Sequence, residues 1–515
     1  MNISVRYVTA RSATLELADG GRFYTCEPYD IRLNGKHFLR TDRVITNLFG
    51  LFPGQACHVQ VCPADSDTIL AECDFTTGAE SVTLNVRDFG AVGDGQTDDT
   101  LAIQTAVLVC PPQGRVLVPA GTYCFRCLIL KSDLQLYLDD GAVLSAFTDE
   151  DKLPLLPGMI QTTDEKDDYN LGTWEGNPLP SRIGIVSAFY AERILVYGPG
   201  RIDGGASRDN WWRKERVKVL PGRPRLLFLH HCKDVTIQGV TFTNSPSWTL
   251  HPYFCTNVSF LGTEVNNPQD SPNTDGMDPE SVTDLLVLGM RFSLGDDCIA
   301  IKAGKIYMAS RYHTPSRHIQ IRQCLMEHGH GAVTIGSEMA GGVYGVTVED
   351  CLFRDTDRGL RVKTRRGRGK EAVLEDIVFR NITMDQVRTP IAVNSFYYCD
   401  PDGHTSYVQN REALPVDDRT PAIRSLVFSH VKCENCHVQA AYVEGLPEQK
   451  IDELVLDDVS FSFAEDAQEG LPVMTEGVDL CSRKGIFVSN VHRLTMKKVR
   501  VTGQEGHSLT LGSVK

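Results

Sequence analysis

Residues 319–363 read IQIRQCLMEHGHGAVTIGSEMAGGVYGVTVEDCLFRDTDRGLRVK, and short apolar alternations recur along them at roughly one solenoid turn. The alternating pairs are Ile319 with Ile321, Val333 with Ile335, Val346 with Val348 and Leu360 with Val362. Comparable pairs occur from Leu134 to Leu456. Such a repeat lets each coil bury its inward side chains against the next coil. The pattern predicts an all-β chain built around a parallel β-helix.

Four polar clusters interrupt this background. They are Asn273-Thr274-Asp275-Gly276, Gly295-Asp296-Asp297, Gly329-His330-Gly331 and Arg361-Val362-Lys363. Glycosidic hydrolysis needs a carboxyl that donates a proton and a carboxylate that activates water or attacks the sugar. Crowding raises the pKa of at least one carboxyl, histidine tunes that proton, and Arg with Lys can hold a substrate carboxylate. No single cluster is decisive, since each of the first three alone is typical of a turn, but together the four predict a hydrolase for an acidic sugar.

The predicted solenoid gives these clusters a geometry. Asp275 and Asp296 are 21 residues apart, which is about one coil, so we expect them on neighbouring rungs about 4.8 Å apart. Side chains alternate along a strand, so an inward Leu360 and Val362 would place Arg361 and Lys363 outward.

In their order, the four clusters resemble glycoside hydrolase family 28, the polygalacturonases and related pectin hydrolases. The resemblance runs from about Val86 to the C-terminus. Three further stretches support it: Asp88-Phe89-Gly90-Ala91 with Asp94-Gly95 and Asp98-Asp99, Val118-Pro119-Ala120-Gly121-Thr122-Tyr123, and Asn244-Ser245-Pro246-Ser247-Trp248. The resemblance implies a right-handed parallel β-helix over residues 83–515. It also implies a helical cap at about Thr97 to Leu108.

The resemblance further implies the roles of individual residues. Asp296 matches the general acid, and Asp275 and Asp297 match the two carboxylates that position and deprotonate water in an inverting reaction. His330 matches the histidine that helps set the protonation of the acid. The expected substrate-binding residues are Arg361 and Lys363, which match cations that bind galacturonate, Asn273, expected to orient Asp275, and also Lys302 and Arg366. No metal site and no cofactor are expected.

The substrate implied is a galacturonate-containing oligo- or polysaccharide with α-1,4 bonds. Three stretches look like bacterial exo-acting members: residues 273–280, 363–369 and 397–403. An exo enzyme needs a wall across one end of its cleft. Residues 149–182 and 304–317 are too long and irregular for simple coil connections, so we expect them to form that wall.

Residues 1–82 show a different pattern. Short alternating runs are separated by turn signals such as Asp19-Gly20-Gly21 and Asn34-Gly35, which predicts a small β-sandwich. The stretch from Leu51 to Cys57 resembles the corner of a fibronectin type III module, with Cys57 where that family usually has tyrosine. An aromatic platform for sugars is lacking, so a packing or spacer role is expected.

Composition narrows the possible partners. The 515-residue chain has a formal net charge of −14, which argues against nucleic acid as a partner. Its one strongly basic run, from Arg361 to Lys370, falls on the fourth cluster, and the local field decides binding in a cleft.

No apolar run reaches the roughly 18 residues of a membrane span, and the start at Met1 lacks the apolar core of a signal peptide. A cytoplasmic enzyme with no membrane partner is therefore expected, and its oligomeric state is not predicted.

The sixteen cysteines are scattered and many sit in apolar contexts, such as Cys298 and Cys324. They are expected to be buried reduced thiols. The stretch Cys433-Glu434-Asn435-Cys436-His437 matches a haem-attachment pattern. With Cys124-Phe125-Arg126-Cys127 it would offer four zinc ligands, but core thiols are the preferred interpretation.

Alternative functions remain open. In the first alternative, the protein is a hydrolase of another pectic glycan, either rhamnogalacturonan or xylogalacturonan. A β-helix lyase would want calcium-binding carboxylates and a basic catalyst, and would leave an unsaturated sugar end. A non-catalytic glycan-binding β-helix would keep aromatic residues and lose the acids, whereas this chain has all of them.

Overall fold

The computed structural model describes residues 1–161, 168–215, 217 and 219–514. Seven antiparallel strands come first, and parallel strands that coil around one core follow from Thr83 onward. The fold is all-β, with a right-handed parallel β-helix as its main body. Among the described residues, no helix has the length and apolarity needed to cross a membrane.

The N-terminal strands form two small sheets packed face to face. Their bounds are Asn2–Val8, Ala13–Ala18, Tyr24–Leu33, Lys36–Arg43, Ile45–Leu48, Ala56–Pro63 and Ala71–Thr76. The first, second and fifth strands make one sheet, and the other four make the second. Leu15, Ile31 and Val59 lie in the core between them, as does Cys57. This arrangement confirms the predicted sandwich, while its fibronectin type III assignment stays a prediction.

One long sheet runs along the whole β-helix. Its strands are Thr83–Asn85, Asp94–Asp98, Arg115–Val118, Gly121–Phe125, Leu134–Leu138, Ala142–Ala146, Glu192–Tyr197, Arg201–Asp203, Lys233–Gln238, Thr241–Thr243, Thr256–Leu261, Glu264–Asn266, Thr283–Leu288, Arg291–Ser293, Ser316–Arg322, Leu325–Glu327, Val343–Glu349, Leu352–Arg354, Val373–Asp385, Ala422–Ile423, Ser425–Cys436, Ile451–Phe463, Val491–Lys497 and Arg500–Thr502. Each strand pairs in parallel with the equivalent strand of the next coil.

A second parallel face, here called the cleft face, carries the polar clusters. Its strands are Leu128–Leu130, Val186–Phe189, Leu227–His230, Leu250–Tyr253, Ile299–Ile301, Val333–Gly336, Arg358–Lys363, Thr389–Asn394, Gln439–Glu444, Lys484–Ser489 and Leu509–Leu511. Between the strands at Leu250 and Ile299, single bridges at Met277 and Glu280 continue the face. The cleft face is therefore continuous across the region of the predicted site.

The apolar alternation predicts the core correctly. Val333, Ile335, Leu360 and Val362 are buried and belong to one cluster that follows the axis of the β-helix. The buried thiols Cys298 and Cys324 lie in the same cluster, as expected for small apolar side chains. Each coil therefore stabilises its neighbours through side-chain packing as well as backbone hydrogen bonds.

Helix Thr100–Val109 packs at the N-terminal end of the coil. It confirms the cap predicted at about Thr97 to Leu108, and it begins a few residues later. The Asp94 carboxylate accepts a hydrogen bond from the backbone N–H of Thr97 at 2.8 Å, which holds that segment out of the helix. Ile103 is fully buried in the core beneath. The other helical segments are Val86–Phe89, Glu150–Lys152, Ile306–Tyr312, Pro401–His404 and Ser406–Gln409.

Two insertions lie over the cleft face, one at residues 149–182 and one at residues 304–315. The second was predicted to extend to residue 317, but residues 316 and 317 belong to the long-sheet strand Ser316–Arg322. They contact each other, because the backbone N–H of Lys305 donates to the Gly176 carbonyl at 3.0 Å and the Tyr312 hydroxyl donates to Met159 Sδ at 3.6 Å. Residues 162–167 of the first insertion lie outside the described residues. Two short antiparallel pairs brace it, Leu155–Leu156 with Ser181–Arg182 and Met159–Gln161 with Asp168–Asn170.

The sandwich packs against the long sheet through buried polar contacts. Ser12 Oγ donates to Gln238 Oε1 at 2.7 Å, and Gln238 Nε2 donates to Thr14 Oγ1 at 2.8 Å. Glu16 accepts hydrogen bonds from Arg322 and Gln323. Satisfied buried hydrogen bonds specify one docking geometry, so the sandwich is held in a fixed position on the long sheet.

Candidate active site

Each predicted catalytic residue lies in a turn just before a cleft-face strand or bridge. The pairs are Asp275 with the bridge at Met277, Asp296 and Asp297 with Ile299–Ile301, and His330 with Val333–Gly336. Adjacent turns are hydrogen-bonded, because the backbone N–H of Gly276 donates to the Asp297 carbonyl and that of His330 donates to the Asp296 carbonyl, both at 2.9 Å. The coil therefore brings residues that are distant in sequence onto neighbouring rungs.

Two glycines of the motifs allow this close approach. A Cβ on Gly331 would lie 2.3 Å from Thr334 Oγ1 and 2.9 Å from Asp297 Oδ1, and a Cβ on Gly276 would lie 2.5 Å from the carbonyl oxygen of Cys298. Those distances are well inside van der Waals contact. Glycine is therefore required at both positions for the carboxylates to converge.

The three carboxylates form one cluster. One oxygen from each of Asp275, Asp296 and Asp297 lies within 4.8 Å of the others. Asp297 is completely buried, and it accepts hydrogen bonds from Arg361 Nη1 at 3.1 Å and from Lys363 Nζ at 2.7 Å. Burial acts to raise the pKa of Asp297, but Lys363 and Arg361 outweigh it and hold this pKa well below its usual range. Asp297 is therefore ionised at neutral pH.

Asp275 is in the opposite electrostatic situation. Burial raises its pKa well above the ordinary value, and the nearby charges of Asp296 and Asp278 act in the same direction. Asp275 therefore keeps its proton at pH values where a free carboxyl has lost it. The cluster therefore holds a protonated carboxyl, Asp275, beside an ionised carboxylate, Asp297.

His330 contacts the predicted acid from the exposed side of the cluster. Its Nδ1 lies 3.2 Å from Asp296 Oδ1, and the imidazole is about half exposed. The hydrogen bond to Asp296 raises the pKa of His330, although burial opposes the shift. Protonated His330 is thus stabilised by the acid that it was predicted to accompany.

We predict that Asp296→Asn lowers the pKa of His330, measured by NMR titration of its imidazole signals. A raised pKa means that the folded protein binds this proton more tightly than the unfolded chain. The contact therefore stabilises the fold at pH values below the ordinary pKa of about 6.5 and stops doing so as the pH rises through the raised pKa. An unchanged His330 titration in the variant would contradict the coupling.

The carboxylate cluster also has a spacing that would suit a cation. Among the described residues, Asp275, Asp296 and Asp297 are the group of metal-ligand side chains close enough to hold one. Arg361 and Lys363 already balance the charge of Asp297, so a metal ion there would face two fixed cations.

Sequence comparison decides the family. The family model described as glycosyl hydrolases family 28 matches residues 168–470, which contain all four polar clusters. The chain belongs to this family. It is a polygalacturonase-type glycosyl hydrolase. A second model, described as rhamnogalacturonase A/epimerase, pectate lyase-like, matches residues 83–143.

Three similar proteins illustrate the extent of the likeness. A probable polygalacturonase of Vitis vinifera is 30% identical over 399 residues, which cover 74% of each chain. An exo-poly-alpha-D-galacturonosidase of Dickeya chrysanthemi is 27% identical over 388 residues, which cover 67% of this chain and 61% of that protein. The family 28 exopolygalacturonase of Yersinia enterocolitica has the same fold, with a TM-score of 0.71, 19% identity, and coverage of 99% of this chain and 98% of that chain.

In the present protein, Arg361 and Lys363 both point out of the core, as their alternation with Leu360 and Val362 predicts. Each is only about one-tenth exposed, because both side chains bond to Asp297. A substrate carboxylate would therefore have to share these cations with Asp297.

Lys302 and Asn273 lie close to the cluster with partners that the sequence did not suggest. The Lys302 ammonium donates to Glu338 at 3.0 Å and lies 3.4 Å from Asp278. It is buried beneath the cleft surface. Asn273 Oδ1 accepts a hydrogen bond from Arg223 Nη2 at 2.7 Å, so this bond anchors the turn that carries Asp275. Whether either residue contacts substrate stays a prediction.

Arg366 does not lie in the cleft, and its assignment to substrate binding needs correction. Its side chain is almost completely buried and forms two hydrogen bonds to Glu448, at 2.6 and 2.8 Å. Its remaining donors bond to backbone carbonyls of residues 407–412. All its donors are directed into the protein. Arg366 therefore stabilises the loop at residues 407–412.

Glu338 and Asp278 are charged residues beside the site that received no role from the sequence. Glu338 pairs with Lys302, and Asp278 is fully buried three positions after Asp275. Burial raises the pKa of Asp278 to about 7 although Lys302 opposes the shift. Asp278 lies in the stretch of residues 273–280 that resembles exo-acting members, so the sequence could have indicated it. Glu338 lies in no such stretch.

Proposed function

We propose that this protein hydrolyses α-1,4-galacturonosidic bonds of galacturonan, acts from a chain end, and inverts the configuration of the released sugar. The observation that carries the proposal is the meeting of three carboxylates with Arg361 and Lys363 in one cleft. Carboxylates supply the acid and base of glycosidic hydrolysis, and paired cations suit the carboxylate of a uronic acid. The relative from Dickeya chrysanthemi, named as an exo-acting galacturonosidase, supports the same activity.

Each of the three carboxylates has its own role in the proposed reaction. Asp296, partly exposed beside His330, donates its proton to the leaving oxygen. Asp297 and Asp275 hold the attacking water between them. In the free enzyme Asp297 is a weak base, because two cations lower its pKa. A substrate carboxylate that draws Arg361 and Lys363 toward itself raises that pKa, so binding activates the base.

The spacing of the cluster allows a water molecule to bridge two acids. Oxygen atoms within 4.8 Å of each other both reach one water at an ordinary hydrogen-bond distance of about 2.8 Å. This separation is shorter than the roughly 6.5–9.5 Å typical of inverting enzymes, so inversion rests on the likeness to family 28. Proton NMR of the first product anomer tests it directly, and a retained anomer would contradict inversion.

The two insertions support action from a chain end. Asn170 of the first insertion bonds to two completely buried cleft-face residues, donating to the Tyr253 hydroxyl at 2.9 Å and contacting His230 Nε2 through its carbonyl at 2.7 Å. Trp174 of the same insertion stacks on Trp248. These contacts place the first insertion over the cleft face on the N-terminal side of Asp275, which supports a cleft closed at that end.

We predict that early products from long galacturonan are monomers or dimers of uniform size, while viscosity falls slowly. Without a wall, the side of a β-helix offers an open groove and internal cleavage follows. Replacing the helix Ile306–Tyr312 with a short turn should release longer products. An equal deletion in the sandwich loop at residues 64–69 is the control and should leave product size unchanged.

Chromatographic sizing of early products and viscometry measure both outcomes. A rapid loss of viscosity with mixed oligomers from the unmodified enzyme would mean that the insertions do not block the cleft. Absence of galacturonan hydrolysis, with cleavage of rhamnogalacturonan or xylogalacturonan instead, would move the substrate to another pectic glycan.

A further inference from the structure

Lys305 lies at the covered end of the cleft, where the two insertions meet the loop that carries Asp400. Its backbone N–H bonds to Gly176 of the first insertion, and Lys305 itself belongs to the second. Its ammonium lies 3.5 Å from Asp400 Oδ2, in the loop that follows the strand Thr389–Asn394. The Lys305 side chain is 21% exposed, compared with 4% for Lys302. Lys305 is therefore the more accessible cation beside the wall.

Several cations surround the Glu338 carboxylate beside Lys305. The Glu338 carboxylate accepts hydrogen bonds from Lys302 Nζ and Ser337 Oγ, each at 3.0 Å. Burial acts to raise the pKa of Glu338, but the surrounding cations keep it well below the usual range; they are Lys302, Lys363, Arg368 and Lys305. Glu338 therefore interacts with four cations, although Lys302 also lies near Asp278, Lys363 bonds to Asp297 and Lys305 lies near Asp400.

Arg368 provides an independent sign of an unfilled anion position. The residue is 5% exposed, and its Nε and Nη2 have no hydrogen-bond partner among the described residues. A buried donor without an acceptor costs free energy. Since Glu338 and Arg368 interact electrostatically, this unmet donor capacity belongs to the same charged region.

Three further acids lie near these cations: Glu175, Glu280 and Asp400. Burial raises the pKa of Glu175, and it raises the pKa of Glu280 to about 8, so Glu280 is largely protonated at neutral pH. Asp400 is 29% exposed and lies at loose distances from two cations, 3.5 Å from Lys305 and 3.6 Å from Arg365. Exposed ion pairs contribute little, so another carboxylate can replace Asp400.

We propose that Lys305 binds the carboxylate of the sugar unit that abuts the wall, as a second uronate-binding position beyond Arg361 and Lys363. The inference rests on the proposed function, since it requires a galacturonate chain with its end in this cleft. The incoming uronate takes the place of Asp400 beside the Lys305 ammonium. The enzyme then recognises the terminal unit by its charge as well as by the physical limit of the wall.

The test compares Lys305→Met with the wild type on two galacturonate oligomers of equal length. In one oligomer every unit is ionised, and in the other the carboxyl group of the terminal unit is reduced to an alcohol; both ends are tried in turn. A lost charge-assisted hydrogen bond should lower kcat/KM on the ionised oligomer roughly 10–100-fold. On the oligomer reduced at the wall-bound end, variant and wild type should be equal.

Two further variants make the result specific. Lys305→Arg should recover most of the activity, because it keeps the charge. Lys370→Met removes an exposed lysine that pairs with Asp418 outside the catalytic cluster, and it should leave kcat/KM unchanged. Thermal unfolding of each variant checks that the fold is retained.

The outcomes separate this inference from the proposed function. Equal kcat/KM for wild type and Lys305→Met on the ionised oligomer would overturn the role of Lys305 while leaving galacturonan hydrolysis intact. Equal losses on both oligomers would also overturn it, because a structural role would then explain the effect. A wild-type enzyme that does not hydrolyse either oligomer would instead overturn the proposed function.

Discussion

Asp296→Asn is expected to lower kcat roughly 10²–10⁴-fold, the usual contribution of a general acid, while galacturonate oligomers still bind. Asparagine keeps the shape of aspartate but has no proton of the required acidity to give to the leaving oxygen. Asp296 is the partly exposed member of the cluster, within hydrogen-bonding distance of His330, so the amide can occupy its place without burying a new charge. Steady-state kinetics and calorimetric titration with a short oligomer measure the two effects separately.

A second Asp–His pair of the same chain serves as the control. Asp284 lies 3.1 Å from His318 Nδ1 on the long sheet and is about half exposed. Asp284→Asn therefore removes a comparable contact away from the cleft, and activity should stay at the wild-type level. Near-normal turnover by Asp296→Asn would end the assignment of Asp296 as the acid.

Local periodicity explains why so much of the fold follows from the sequence. In a parallel β-helix each coil contacts the next one, so alternation such as Leu360 with Val362 directly reports which side chains face the core. The same alternation places Arg361 and Lys363 together on the cleft face, and their joint contact with Asp297 agrees with it. The order of the four clusters then led to the family.

Interactions between distant coils and loops are the part that periodicity does not reveal. Arg366 sits in the same basic run as Lys363, but its partner Glu448 is 82 residues away, and burial of a charge by a remote loop leaves no local pattern. Asn273 likewise bonds to Arg223, 50 residues earlier. The cytoplasmic location stays a prediction, as does the boundary between residues 82 and 83.

Lys363→Met should have the second large effect, and it should act on both substrate and Asp297. The Lys363 ammonium lies 2.7 Å from Asp297 Oδ2, and Asp297 is completely buried. Removing one member of a buried ion pair costs about 3–5 kcal/mol when the other charge is left alone. Arg361 remains at 3.1 Å, so we expect a smaller loss, about 1–3 kcal/mol, in the free energy of unfolding at neutral pH.

The pH dependence of this loss follows from the sign of the shift. The folded protein holds the pKa of Asp297 far below that of the unfolded chain, so its ionised form adds stability above about pH 4 and loses it as the pH falls through the folded pKa. In Lys363→Met that folded pKa rises, and acid unfolding should begin at higher pH. Circular dichroism along an acid titration measures the shift, with Lys370→Met as the matched control.

Activity separates the two roles of Lys363. If the lysine binds the substrate carboxylate, KM for ionised galacturonate oligomers should rise sharply, with kcat/KM falling roughly 10–100-fold, and KM for their methyl esters should change much less. A neutral ester has no charge for the ammonium to bind, so its remaining loss reports the disturbed Asp297 alone. Equal losses on ionised and esterified oligomers would mean that Lys363 serves only to hold Asp297, and recognition of the uronate would then fall to Arg361.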